Sequence, residues 1–221
     1  MRKTVLIALT ALLAVAAPAA ALTSATATPD KAGKPSTLHF DIDATVAPIS
    51  GRIPLTLQLN ALPGFRVNLQ AVSKRCSQES ATLNECPAAS RVGKGSLVVA
   101  VTTSNKVRIV TIPLFVYLHS NTKILAVAHV FGWQVVPASL NARRGLSVRF
   151  NPLPQGPPFQ GVTYALERIT LTFGASAVVH KQRQSLIRNP ATCKGSWAAS
   201  VKLTFKVGAP VSLTTPTACS K

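Results

Sequence analysis

Apolar and polar residues alternate along most of this chain with a period of two. Leu38, Phe40 and Ile42 are apolar, and the residues between them are polar. Successive side chains of a β-strand point to opposite faces of a sheet, so this alternation predicts a half-buried strand. The same pattern recurs in segments 53–59, 65–71, 97–101, 146–150, 169–173 and 197–207. No window keeps the 3.6-residue period of an amphipathic helix over three turns, so the sequence predicts an all-β protein.

Two segments depart from simple alternation. Residues 124–131 are apolar on both faces, which indicates a central strand covered on both sides. In the strand before it, the apolar positions are odd at Val107 and Ile109 but even from Ile112 onward. One extra residue in a strand changes the phase of everything that follows, so we expect a β-bulge near Val110.

The number of strands sets the fold class. About ten short strands at this spacing favour two packed sheets. We predict an antiparallel β-sandwich of immunoglobulin-like or jelly-roll-like type over residues 36–221, with closure of one sheet on itself as the alternative. Segment 151–161 holds four prolines and two glycines, and it is the boundary to expect if the domain has two lobes.

The start of the chain has the layout of a secretory signal peptide. Two cations precede an uncharged apolar run that ends in an alanine-rich stretch. Small residues place the cut before Leu22, with a second candidate before Thr28. An uncleaved membrane anchor is the alternative, because the run is close to the roughly 18 residues that a spanning helix needs. We assign residues 1–21 to the signal peptide and residues 22–35 to a flexible leader, and we expect no transmembrane segment in the mature chain.

Four cysteines follow, an even number in a protein sent to an oxidising compartment. Three pairings are open in principle, and the simplest joins Cys76 to Cys86 and Cys193 to Cys219. Zinc-ligand pairs are usually separated by about two to four residues, which neither of these pairs is. We therefore predict two disulfides and no metal site.

Two short segments are more specific than composition. They read Cys-Pro-Ala-Ala-Ser-Arg-Val-Gly-Lys-Gly over residues 86–95 and Asn-Pro-Ala-Thr-Cys-Lys-Gly-Ser-Trp over residues 189–197. Physically, Gly93 and Gly95 permit backbone conformations that are closed to other residues. Together the segments resemble a family of functionally uncharacterised secreted proteins of high-GC Gram-positive bacteria. The resemblance implies an extracytoplasmic β protein and supplies no catalytic residues.

Charge narrows the choice of partner. The chain has 24 Lys and Arg against 6 Asp and Glu, a formal net charge of +18. Such a surface attracts polyanions without sequence specificity, and salt weakens the attraction. Outside a cell this predicts anionic cell-wall polymers or acidic polysaccharide as partners, whereas a role in solubility alone is the alternative. The densest cationic clusters lie in predicted turns or loops and give the candidate anion-binding residues Lys74, Arg75, Arg143, Arg144, His180, Lys181 and Arg183.

Groups that could carry catalysis are few. Asp41 and Asp43 share one strand face with Cα atoms about 7 Å apart, an arrangement that is ordinarily a solvated strand face. The four histidines show no metal-ligand spacing, and His129 lies in an apolar run where a core histidine would be expected. No Gly-x-Ser-x-Gly segment occurs. We predict no catalytic residues, no metal and no cofactor.

These observations favour a secreted, non-catalytic binding or structural protein of the cell envelope or extracellular space, which contacts anionic polymers through a basic surface. One alternative is an unusual secreted hydrolase with a site built from Asp41, Asp43 and a distant histidine. Another is a protein–protein interaction module. Aromatic residues make up only 5% of the chain, so stacking platforms are scarce and no specific nucleic acid is expected. The oligomeric state stays open.

Overall fold

A computed structural model describes residues 23–28, 30–45, 54–62, 64–103, 106–129, 132–142, 145–151, 162–174, 176–179 and 182–221. Within these residues the chain is nearly all antiparallel β-sheet, which confirms the predicted fold class. In this part of the chain no helix is both long enough and apolar enough to cross a membrane. The predicted signal peptide over residues 1–21 lies outside the described residues.

The elements are short and closely spaced along the chain. The strands are β1 (Thr23–Thr28), β2 (Pro35–Asp43), β3 (Pro54–Leu62), β4 (Arg66–Val67), β5 (Arg91–Thr103), β6 (Lys106–Ser120), β7 (Lys123–His129), β8 (Trp133–Asn141), β9 (Leu146–Phe150), β10 (Val162–Phe173), β11 (Ser176–Val179), β12 (Gln182–Ser185), β13 (Ile187–Arg188), β14 (Ser196–Phe205) and β15 (Val211–Ala218). The helical elements are α1 (Gln78–Thr82) and two 3-10 turns, Leu69–Ala71 and Ala88–Ser90.

A single hydrogen-bonded sheet of 13 strands makes up most of the described molecule. Its order is β15-β14-β3-β9-β8-β7-β6-β5-β10-β2-β13-β4, with β1 paired to β2, while β11 and β12 form a separate hairpin. Strands from both ends of this order contribute to one hydrophobic core. The sheet therefore curls around that core, and both layers of the predicted sandwich come from one continuous sheet.

The beginning and the end of the described chain meet. The backbone N–H of Ala32 donates to the carbonyl of Ser220 at 3.0 Å, and the N–H of Ser220 donates to the carbonyl of Asp30 at 3.0 Å. The predicted disulfide between Cys193 and Cys219 joins the segment before β14 to the end of β15 beside this contact. The two backbone bonds hold the turn between β1 and β2 against the end of β15, and the disulfide ties that end to the segment before β14.

The structure corrects the expectation of a flexible leader over residues 22–35. Strand β1 pairs with β2 along its whole length and buries Ala25 and Ala27. Alanine alternates there with serine and threonine, which is a period-two pattern whose apolar members are too small to be conspicuous in the sequence. A cut before Thr28 would remove most of β1, so this pairing favours the cut before Leu22.

Alternation in the sequence produces the core as expected. In β2 and β14 every second residue is buried, and the rings of Phe40 and Phe173 pack edge to face with centroids 6.3 Å apart. Strands on both sides of segment 151–161 contribute to this one core, so the described residues do not divide into two lobes. Trp197 is also buried, and its indole N–H donates to the carbonyl of Thr192 at 2.9 Å.

The expected bulge near Val110 is absent from the described pairing. β5 and β6 pair without a register shift from Gly93 opposite Val116 to Thr103 opposite Lys106. The apolar side chains at positions 107 and 109 therefore point outward, and they are exposed. The change from odd to even apolar positions in β6 therefore does not come from a bulge. It comes from a segment whose outward side chains at positions 107 and 109 are apolar.

A second, smaller core lies on the outer side of β6, β7 and β8. The Cys76–Cys86 disulfide closes the segment that carries α1, and this segment packs on Leu125 and Val127 of β7. The alternate residues of the same strand, including Ile124, face the main core. β7 is therefore covered on both faces, as its continuous apolar run predicted.

Asn189, the first residue of segment 189–197, joins that segment to the start of β2 and the turn before it through hydrogen bonds. It is buried, its side-chain N–H donates to the carbonyl of Lys31 at 2.8 Å, and its side-chain oxygen accepts from the hydroxyl of Ser36 at 2.6 Å. The backbone N–H of Asn189 donates to the carbonyl of Lys34. These bonds fix the turn between β1 and β2, which gives this part of the segment a structural role.

Candidate polyanion-binding surface

One row of cross-strand neighbours crosses five adjacent strands, β14, β3, β9, β8 and β7. Its members, each directly opposite the next, are Lys202, Gln58, Arg149, Ser139 and Lys123. The three cations thus occupy alternate strands, and we call these five residues the cationic row. Adjacent strands lie about 4.8 Å apart, so neighbouring cations are about 10 Å apart and the row spans roughly 19 Å.

The row faces away from the core. Its flanking residues Val201, Val148 and Ile124 are fully buried, and side chains alternate between the two faces of a strand. The cationic side chains of the row are all exposed. Each of these strands buries its apolar side chains against the core, so the cations that alternate with them point outward. The cations need no contact with one another to be aligned in this way.

Amide and hydroxyl groups form an ordered surface beside the row. Gln58 donates from its side-chain nitrogen to the side-chain oxygen of Asn60 at 3.0 Å, and the hydroxyl of Ser147 donates to the same oxygen at 2.7 Å. Asn60 in turn donates to the hydroxyl of Ser200 at 3.1 Å. The network links three strands and holds the amides in one orientation. It presents polar groups at fixed positions next to the charges.

The charges of the row are not neutralised from within the described chain. In that part of the structure one ion pair occurs, Arg168 with Asp41, and it lies on β10 and β2. Like charges directly opposite each other destabilise a sheet, and the row avoids this by placing an uncharged residue between each pair of cations. A spacing of about 10 Å is near the Debye length at 0.1 M ionic strength, so mutual repulsion is modest while the summed field stays positive.

The predicted cations Lys74 and Arg75 lie next to one end of the row. The Arg75 guanidinium donates to the carbonyl of Val72 at 2.6 Å and to the side-chain oxygen of Asn121 at 3.2 Å. Asn121 lies in the turn that leads directly into Lys123. Arg75 therefore both holds this loop in place and adds a charge at the end of the row, while Lys74 is exposed beside it.

The other predicted anion-binding residues are not placed by the structure. Arg143, Arg144, His180 and Lys181 lie outside the described residues, and only the backbone of Arg183 is described, in β12. The sequence did not predict the residues of the row, because the predicted anion-binding residues were cations that cluster along the chain. Each row cation is instead an isolated polar residue in an alternating strand.

Asp41 and Asp43 share the outward face of β2, as predicted, but each carboxylate is occupied. Asp41 accepts two hydrogen bonds from the guanidinium of Arg168, one of them at 2.7 Å. The hydroxyl of Thr45 donates to Asp43 at 2.6 Å and its N–H donates at 2.9 Å; these two bonds and the nearby Arg168 hold the pKa of Asp43 below its ordinary value. A glycosidase general acid needs a raised pKa instead. The hydrogen bonds that occupy the two carboxylates therefore indicate a structural role for this pair rather than acid catalysis.

The described histidines are dispersed. Nδ1 of His39 lies 2.8 Å from the hydroxyl of Thr172, and Nδ1 of His119 lies 2.8 Å from the carbonyl of Cys76. His129 is exposed at the end of β7 with its ring 4.8 Å from that of Trp133, so the expectation of a core histidine was wrong. Within the described residues no three His, Cys, Asp or Glu side chains come together as a metal site would require.

A small void in the interior is too small for a ligand. It measures about 10 Å³, which is at most the space of one water molecule. Its lining is apolar and includes Val92, Ile124 and Phe173.

The cationic row is the surface on which charge, exposure and ordered polar groups coincide. Comparisons of the chain with protein-family models, with curated proteins and with solved structures found no match. The function is therefore inferred from the chemistry of this surface.

Proposed function

We propose that this chain is a secreted, non-catalytic binding protein that holds extended anionic polymers of the cell envelope across its cationic row. One observation carries the proposal. Lys123, Arg149 and Lys202 stand on alternate strands in one outward row, and the two residues between them, Gln58 and Ser139, carry an amide and a hydroxyl. Polymers that carry carboxylate, phosphate or sulfate groups on a hydroxylated backbone complement both kinds of group.

The polymer would lie across the strands and parallel to the row. Each cation then meets an anionic group and releases the counterions that screened it, which is the main source of affinity for a polyanion. The ordered amides of Gln58 and Asn60 supply hydrogen bonds to polymer hydroxyls. Long exposed Lys and Arg side chains adapt to small differences in spacing, so we expect broad recognition of polyanions rather than selection of one sequence of sugars.

The cysteine chemistry supports the proposed location. Both disulfides form, and no described cysteine is free. Disulfides persist in extracellular and other oxidising compartments and are rare in the cytosol. Together with the predicted signal peptide, they favour export to the envelope or the medium, where anionic wall polymers and acidic polysaccharides occur.

The test is salt-dependent retention on immobilised dextran sulfate, with neutral dextran as the control matrix. The purified protein should be retained on dextran sulfate alone and released as salt rises. Replacing the three row cations by glutamine should weaken binding and reduce the slope of log affinity against log salt by about two to three, because each cation that neutralises a polymer charge contributes roughly 0.7 to 0.9.

A matched variant separates the row from bulk charge. Glutamine at Lys34, Lys94 and Arg66 also removes two lysines and one arginine, but from exposed positions outside the row. This variant should keep most of the affinity of the parent protein. Equal losses in both triple variants would mean that net charge alone determines retention, and the proposed site would then be rejected.

A further inference from the structure

Three strands extend beyond the body of the sheet as an arm. β7 pairs with β6 only from Leu114 onward, and β2 pairs with β10 only from Arg168 onward. Residues 100–103, 106–109 and 162–165 nevertheless continue to pair with one another. We call these three segments the arm. The register of β10 shifts at Glu167, between the arm and the body of the sheet.

Two large apolar side chains on the outward face of the arm are exposed. Val107 has 64% of its surface exposed and Ile109 has 62%, although most apolar side chains of this size in the described chain are buried. Ala100 lies directly opposite Ile109 on the same face. These side chains form one small apolar patch on a chain of net charge +18, and contiguous exposed apolar patches mark binding sites.

In the part of the chain that the structure describes, the edge of the arm is also open. Residues 106–111 pair with β5 on one side, and no described strand pairs with them on the other. In an antiparallel strand every second residue points its N–H and C=O toward that free side, which makes the edge a template for an added strand. Strand addition to such an edge is a common mode of peptide recognition.

The two faces of this edge strand carry different chemistry. Val107 and Ile109 point to one side, whereas Lys106, Arg108 and the partly exposed Val110 point to the other. Among the described residues neither cation lies within ion-pair distance of a carboxylate. A strand added here would place acidic side chains opposite the cations and apolar side chains opposite Val107 and Ile109.

We propose that the free edge of the arm binds an extended segment of a partner protein in which carboxylate and apolar side chains alternate. The charge of the edge favours this occupant over a second copy of the chain, because two molecules of net charge +18 repel each other. It is also favoured over a lipid bilayer, because an open sheet edge is not tolerated in hydrocarbon. An added strand would pair with the backbone N–H and C=O groups of the edge and cover Val107 and Ile109 at the same time.

The test uses a fluorescent peptide of alternating Glu and Val, with a peptide of the same composition in blocks as the control. Fluorescence anisotropy should show binding of the alternating peptide and weaker binding of the block peptide. Hydrogen exchange should slow at residues 107–111 when the alternating peptide is bound. Slowed exchange confined to the cationic row would overturn the proposal and assign the peptide to that surface.

Charge reversal tests the complementarity directly. Lys106→Glu with Arg108→Glu should lower affinity for the Glu-Val peptide about tenfold and create binding to a Lys-Val peptide, because opposite cross-strand charges attract and like charges repel. Val107→Thr with Ile109→Thr keeps β-branched residues and should weaken both interactions. Glutamine at the three row cations should leave the slowed exchange at residues 107–111 in place, so failure here is distinct from failure of the polymer proposal.

Two other occupants are distinguishable outcomes. A concentration-dependent dimer in sedimentation that the Val107→Thr, Ile109→Thr variant abolishes would replace the partner segment by a second copy. Co-sedimentation with anionic phosphatidylglycerol vesicles that the same variant abolishes would replace it by a membrane surface. Unchanged peptide affinity after charge reversal would overturn the proposal outright.

Discussion

Single residues decide how closely two central strands approach. Gly95 of β5 lies opposite Leu171 of β10, and a Cβ atom added at Gly95 would overlap the backbone carbonyl of Thr170. At Gly93 the added atom would lie 2.7 Å from the carbonyl of Thr172. Neither glycine has a positive φ, so the reason for glycine is space rather than the conformational freedom expected from the sequence.

Gly95→Ala should therefore destabilise the fold by about 3 kcal/mol, the upper range for forcing extra atoms into a packed site. The contact is with backbone, which cannot move as the end of a flexible side chain can. Urea unfolding measures the effect. Gly33→Ala is the control, because its Cβ meets nothing within 4 Å and only its φ of +67° costs energy, about 1 kcal/mol. An equal or smaller loss at Gly95 would contradict the packing.

Short elements depend on covalent and tertiary support. Helix α1 has five residues, and a helix this short is not stable alone in water. The hydroxyl of Ser77 caps it by accepting from the N–H of Ser80, and Ala81 is fully buried in the smaller core. The disulfide to Cys86 closes the loop that presses this helix onto β7 and β8.

Replacing both cysteines of one bridge by alanine should destabilise the protein according to the loop released. The Cys76–Cys86 bridge spans 10 residues and should be worth about 2.7 kcal/mol, whereas Cys193–Cys219 spans 26 and should be worth about 3.5 kcal/mol. Urea unfolding gives the values, and hydrogen exchange should show the first change near α1 and the second near β1 and β15. A larger loss for the shorter loop would contradict this account.

At the element scale, alternation in the sequence predicts most strands and their buried phase. It fails where the apolar members are small, as in β1, because Ala25 and Ala27 resemble a polar leader. It also fails at Val107 and Ile109, where an apolar outward face mimics a bulge. In both places burial, rather than hydrophobicity alone, decides which face of the strand packs.

At the scale of the whole molecule, strand order creates the candidate site. Arg149 and Lys202 become close only because β3, from the first third of the chain, is inserted between β9 and β14. Alternation shows that each cation points outward, but it contains no information on which strands are neighbours. The net charge and the outward positions could therefore be predicted from the sequence, whereas the alignment of three cations in one row could not.

The central claim is that anionic polymer lies along the cationic row. Chemical-shift mapping of backbone amides during titration with a short dextran sulfate oligomer tests it most directly. The largest shifts are expected at Lys123, Arg149, Lys202 and the intervening Gln58 and Ser139, with the arm unchanged. Shifts spread over all exposed cations, or concentrated away from these five strands, would contradict it.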